Sequence, residues 1–288
     1  MDAGRLFTLA GAMALVALGG VFLRSTGTAA PSFAEVPGKA ASANVDVALV
    51  IAVDISYSMD PDEQALQREG YIVGLTSAEF LNALKQGVHG RIAVIYFEWA
   101  GESDQKIVMP WRVIDGAASA KAIADEIAAA PYRRSYRTSI SGALKFAGPL
   151  FDNSEYRGLR RVIDVSGDGA NNQGPPVTTI RDELLARGIT INGLPIMLKR
   201  PMNANMDLEN LDEYYEDCVT GGPGSFVISI KDREKFKEAT RTKLVLEIAG
   251  RVPPMRIVPV SAQEPRVSCT IGERMWRYRW GGGGSDFN

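Results

Sequence analysis

Histidine is almost missing from this chain of 288 residues, and cysteine is scarce: there is one histidine, His89, and there are two cysteines, Cys218 and Cys269. A serine or cysteine nucleophile normally needs a base, and His89, in "KQGVHGR", precedes a strand at the sheet end away from the acid-bearing loops. The same scarcity excludes Cys/His zinc spacing. No glycine loop with the lysine that cradles phosphate occurs either. Neither sign of charge dominates: 32 Lys and Arg against 34 Asp and Glu give −2. A nucleic-acid surface would show a basic excess, so that class is excluded too. What is plentiful is apolar material, 45% of residues, in the proportion of one ordinary α/β domain with appendages.

Only one long stretch is without charge. "LFTLAGAMALVALGGVFL", residues 6 to 23, follows Arg5 and leads into a Thr/Ala/Pro/Ser segment ending "SFAEV". Ser32 and Ala34 occupy the small-residue positions of a cleavage site after Ala34. Residues 1–34 read as an export signal, which makes the protein periplasmic or secreted; the run also reaches the length of a membrane span, so an uncleaved inner-membrane anchor is the alternative. No cysteine precedes residue 218, which excludes a lipid-modified N-terminal cysteine. In an oxidising compartment the pair Cys218 and Cys269 is expected to be bridged, tying the C-terminal tail to the domain. Free thiols in the non-reduced protein would contradict this.

From Val45 strand-like and helix-like segments alternate. "VDVALVIAV" is a short β-branched run of the kind buried on both faces of a sheet. Asp60, Pro61 and Glu63 then form an N-terminal helix signature, with Leu66, Val73, Leu81 and Leu84 as its expected apolar face. Asp60 is accordingly a cap. "RIAVIYFEWA" and "QKIVMPW", separated by "GESD", read as a hairpin, and Pro110 puts its second strand at a sheet edge. Helices are expected near 118–129, 139–151, 177–187 and 231–249, and strands at "RRVIDVSGDG", "GITINGLPI" and "FVISI". The acidic run from Asp207 to Asp217 reads as a solvated helix face, and "GGGGSDFN" as a flexible end. The organisation is a domain over 45–250 and a C-terminal extension over 251–288. The alternation implies a mostly parallel, doubly wound sheet flanked by helices.

In such sheets ligands bind at the carboxyl ends of the strands. There "IAVDISYSMD" ends a buried strand in Asp54 and then places Ser56 and Ser58 at alternate positions. An acid and two hydroxyls can be an ordinary turn. They can also aim three oxygens at a hard cation. Thr138, after a polar loop, and Asp168, beyond a second buried strand, would supply further oxygens; as bland alternatives Thr138 is a helix cap and Asp168 a turn residue.

"DISYS", Thr138 ahead of "SISGAL", and Asp168 in "SGDG" together resemble, in order, the metal-ion-dependent adhesion site (MIDAS) of von Willebrand factor A (VWA) domains. The resemblance spans about residues 45 to 250, and "DVSGDGANN", "DCVTGGPGSF" and "KLVLEIAG" are similar to uncharacterised exported bacterial proteins with this domain. It implies a Rossmann-like six-stranded sheet with one antiparallel edge strand. It also implies Mg²⁺ or Mn²⁺, Ca²⁺ being less suited, held by Ser56, Ser58 and Thr138 directly and by Asp54 and Asp168 directly or through water. Arg137 departs from the family, where glycine is common before the threonine. Asp164 is expected to be hydrogen-bonded within the sheet.

The function this implies is metal-dependent binding of a protein that presents an Asp or Glu carboxylate, with no enzymatic role, no nucleic acid, and membrane contact only through an uncleaved anchor. A structural subunit with a vestigial site, and a metal-dependent hydrolase, are the alternatives. Arg133, Arg134 and Arg137 in "YRRSYR" would rim the metal, as a solvated loop or as a surface selecting an acidic partner.

Overall fold

A computed structural model describes residues 43–198, 208–249 and 264–280. The expected signal, residues 1–34, and the "GGGGSDFN" end lie outside the described residues.

The central strand β1 (Ala43–Asp54) sorts its side chains by parity. Val47, Leu49, Ile51 and Val53 enter one core, and Ala48, Val50 and Ala52 the other, all buried. This is why the run reads as continuously apolar. β2 (Ile92–Trp99) pairs parallel to β1 on one side, and β3 (Gln105–Ile114) closes that edge antiparallel, with Pro110 on it. β4 (Tyr156–Gly167) pairs parallel to β1 on the other side, followed by β5 (Thr190–Pro195). The order is β3-β2-β1-β4-β5, so the chain switches sides of the sheet between β1 and β4.

The sixth strand expected at "FVISI" is reduced to two isolated bridges, Gly193 with Val227 and Ile196 with Ile230. Ile228 N donates to Gly193 O and Ile230 N to Pro195 O, in the alternation of a parallel ladder. The return rung from residue 195 is missing because proline has no N–H.

On the first core's side lie α1 (Pro61–Thr76), α2 (Ala78–Lys85), α3 (Ala117–Ala129) and α7 (Phe236–Ala249); α4 (Ile140–Asp152), α5 (Val177–Ala186) and α6 (Leu211–Tyr214) cover the other. α1 starts as its signature predicts: Glu63 N donates to Asp60 Oδ1 at 2.8 Å, and Asp60 N donates to Glu63 Oε2 at 2.9 Å. The expected continuous apolar face does not form. Ser77 turns extended and caps α2 through Phe80 N, and Val73 is 38% exposed. The buried face of α1 carries Gly70 and Gly74 instead. A Cβ at Gly70 would lie 2.8 Å from Thr240 Oγ1, and one at Gly74 2.7 Å from Leu244 Cδ1, so the absence of side chains sets how closely α7 approaches.

Asp164 is buried in β4 and pairs with α7 as well as with a tyrosine. Lys243 Nζ lies 2.5 Å from both Asp164 Oδ1 and Glu247 Oε1, and the Tyr71 hydroxyl donates to Asp164 Oδ2 at 3.1 Å. Burial, and then the Asp164 charge, push Glu247 up to about 7.

After α6 the chain forms a π-helical turn (Tyr215–Val219). Its acidic residues are not simply solvated: Glu216 and Asp217 both bind Arg266, at 2.6 and 2.8 Å. Cys218 is disulfide-bonded to Cys269 across 51 residues. Beyond that bond the chain forms α8 (Ile271–Trp280), a helix that the sequence pattern did not predict.

Candidate metal centre

Where a chain switches sides of a parallel sheet, two strand ends diverge and leave a crevice. Here those ends are Asp54 of β1 and Gly167 of β4, so Asp54 and Asp168 face the same opening. Ser56 N donates to Asp54 Oδ1 at 2.7 Å, the turn bond expected of an Asx residue. From there the polar groups continue without a break: Ser56 Oγ lies 2.7 Å from Ser58 Oγ, and Ser58 Oγ donates to Asp168 Oδ1 at 2.6 Å. Asp54 and Asp168, more than a hundred positions apart, are thus joined through two serines.

Asp54 is fully buried, and its second oxygen, Oδ2, has no hydrogen-bond partner. Burial, and then the neighbouring Asp168 carboxylate, push its carboxyl well above the ordinary range. A buried carboxylate with a free oxygen beside a second carboxylate and two hydroxyls is a donor set for a hard divalent cation, which prefers oxygen and would offset both costs.

Thr138 is 4% exposed and lies against the same loop. A Cβ on Gly169 would lie 3.7 Å from Thr138 Oγ1. The capping role falls to Ser139, whose hydroxyl accepts from Gly142 N at 3.0 Å, so the Thr138 hydroxyl is not the cap of α4. Thr138 is clamped through its backbone: its N donates to Asn172 Oδ1 at 3.0 Å, and Asn172 N donates to its carbonyl at 2.8 Å. Asn171 ties the same loops again, its Oδ1 accepting from Ser141 N and its Nδ2 donating to Glu273 Oε1 at 2.7 Å. Neither asparagine was predicted, although both stand in "GDGANN".

The arginines of "YRRSYR" are engaged by the protein itself. Arg133 pairs with Asp104 at 2.7 Å. Arg134 donates to the carbonyls of Tyr57 and Met59 and stacks over the Tyr57 ring at 4.7 Å. Arg137 stacks over Trp276 at 3.5 Å, with φ at 75°, the left-handed region in which relatives' glycine would be at ease. These residues brace the loop that pairs with "DISYS" through Ser56 and Ser135. The surface they leave is aromatic: Tyr57 and Tyr136, 47% and 73% exposed, have ring centroids 4.4 Å apart.

Residues 44–252 match the family described as "Protein of unknown function (DUF1194)". No curated protein matches the chain. Among solved structures, proximal thread matrix protein 1 from the mussel byssus is similar over 72% of this chain and 49% of its own, with 16% identity and a TM-score of 0.51. The pilus adhesin SpaC from Lactobacillus rhamnosus GG is similar over 71% of this chain and 31% of its own, with 13% identity and a TM-score of 0.52. A von Willebrand factor type A protein from Catenulispora acidiphila is similar over 71% and 43%, with 16% identity and a TM-score of 0.47. The chain thus spans half or less of the length of these structures. At such identities the likeness is one of fold: an α/β domain whose mostly parallel, Rossmann-like sheet is flanked by helices.

Proposed function

The chain belongs to the DUF1194 family, and on that premise we propose that it is an exported, metal-dependent protein-binding module. Asp54, Ser56, Ser58, Thr138 and Asp168 would hold Mg²⁺ or Mn²⁺. The observation that carries the reading is the buried Asp54 Oδ2 without a partner, at the head of the run through Ser56 and Ser58 to Asp168. With three hydroxyls and two carboxylates the site neutralises a divalent ion and adds no surplus charge, so the ion keeps exchangeable waters and accepts a carboxylate from outside. The protein's own residues do the rest: the Asn171 and Asn172 amides fix the loops, and the packed, exposed rings of Tyr57 and Tyr136 give an aromatic contact surface beside the opening.

Binding rather than catalysis is the reading these residues support, because among the described residues no group of three or more histidine, cysteine or acidic side chains that could hold a metal forms there. The test is isothermal titration of Mg²⁺ and Mn²⁺ into chelator-stripped protein beside Asp54→Ala. Saturable one-site binding lost in the variant is expected. The absence of both heat and thermal stabilisation with either ion would overturn the proposal.

A further inference from the structure

The three arginines closest in sequence to Thr138 are all engaged, yet a second set stands nearby on an element the sequence pattern left without structure. α8 is fixed to the two loops that carry Thr138 and Asp168. Glu273 accepts from Asn171 Nδ2 at 2.7 Å, the Trp276 ring lies under Arg137 at 3.5 Å, and Gly272 packs so closely on the Asn171 carbonyl that a Cβ there would collide with it. Gly272, Glu273 and Trp276 are one helix face, at i, i+1 and i+4. Upstream, the Cys218–Cys269 bond and the Arg266 pairs with Glu216 and Asp217 hold the start of the helix. α8 is therefore a fixed neighbour of the site.

Away from that face Arg274 and Arg277, three positions apart, are exposed with Tyr278, which is 95% exposed, and Arg279, one turn beyond Trp276, is exposed at the end of the helix. Among the described residues no carboxylate pairs with these arginines, and the one acid of the helix, Glu273, is turned inward to Asn171. A cationic surface held in place beside an opening that takes a carboxylate complements a partner with more than one acid.

We infer that α8 is the second half of the docking surface: it receives acidic residues that flank the carboxylate bound at the metal. The inference rests on the proposed function and deepens it by naming the partner as an acidic segment. A helix is about 10–12 Å across, and an extended chain advances about 3.3 Å per residue. The flanking acids therefore begin about three to four positions from the ligating one.

The test uses two peptides, Gly-Gly-Asp-Gly-Gly-Glu-Glu-Glu and the same peptide with Gln for Glu, titrated into the full chain with Mg²⁺. Three proteins are compared: the natural chain, Arg274→Gln/Arg277→Gln/Arg279→Gln, and Asp54→Ala. Exposed ion pairs are individually weak, so losing three should weaken the Glu peptide about tenfold. The Gln peptide and Mg²⁺ itself should bind the triple variant as they bind the natural chain, and the difference should shrink as salt rises. Equal binding of both peptides, or a triple variant indistinguishable from the natural chain, overturns the inference while leaving the metal site standing. Loss of Mg²⁺ binding in all proteins overturns the proposed function instead. Arginine-dependent binding to phosphatidylglycerol vesicles with no peptide binding would assign α8 to a lipid surface and overturn the inference as well.

Discussion

Asp54 and Tyr215 meet beside Gly167: a Cβ on that glycine would lie 2.8 Å from Asp54 Oδ2 and 3.0 Å from the Tyr215 hydroxyl, and neither oxygen has a hydrogen-bond partner. Two buried polar atoms left open in one place are unusual, and water or a metal's hydration shell is what ordinarily completes them. Tyr215→Phe removes one oxygen and nothing else. The metal-free variant should be at least as stable as the natural chain, since it loses a buried hydroxyl that was unsatisfied. Mg²⁺ should bind about fivefold more weakly, the equivalent of one hydrogen bond of about 1 kcal/mol. Calorimetric titration and thermal melts of the same samples check both halves, and unchanged Mg²⁺ affinity would remove Tyr215 from the site.

Arg137 is held between two demands. Its left-handed backbone favours glycine by about 1 kcal/mol, while its guanidinium covers Trp276. Arg137→Ala keeps the strain and loses the stacking, whereas Arg137→Gly loses the stacking and the strain together. Glycine should therefore be the more stable of the two by about 1 kcal/mol in urea unfolding.

The buried trio of Asp164, Lys243 and Glu247 has one carboxylate more than it has cations. Its excess sits on Glu247, whose carboxyl is pushed up to about 7 from an ordinary 4.5. A raised folded-state value means stability that is fully present below about pH 4.5 and lost as pH rises through about 7. Glu247→Gln should flatten that decline, on the order of 3 kcal/mol across the window, and leave the variant no less stable at pH 8. Lys243→Met should be far worse, by about 3–5 kcal/mol, because it strands two buried carboxylates. Chemical denaturation at several pH values separates these outcomes.

Reduction should act at a distance. The Cys218–Cys269 bond closes a separation of 51 residues, which on the chain-entropy account contributes about 4 kcal/mol. Cys269→Ser should lower the unfolding free energy by that order, and thiol titration of the non-reduced natural protein should give no reaction.

Much of this arrangement was legible in the sequence because it rests on local rules. The β-branched run before Asp54, the Asp60–Glu63 capping box and the edge-marking Pro110 each act over a few residues, and each stands where those rules put it. What could not be read depends on contacts between distant segments. Val73 has an apolar side chain at a helical spacing, but the face that packs on α7 was decided by Gly70 and Gly74. Tyr214 and Tyr215 come from an acidic stretch where α6 passes into the π-helical turn, and both are buried there, the Tyr214 hydroxyl accepting from Asn171 N at 3.2 Å. α8 is ten residues, under three turns, with its apolar side chains set among arginines, and it is defined by what it touches.

The disulfide also sets how the protein would carry a pull. Tension applied at the C-terminal end reaches Cys269 and crosses to Cys218, entering the domain at the π-helical turn. α7, with its buried Lys243, lies between the two cysteines in sequence and so off that covalent route. While the bond is intact, the covalent route enters the domain beside Tyr215, next to the opening, and the contacts of α8 with Asn171 and Arg137 share the load there.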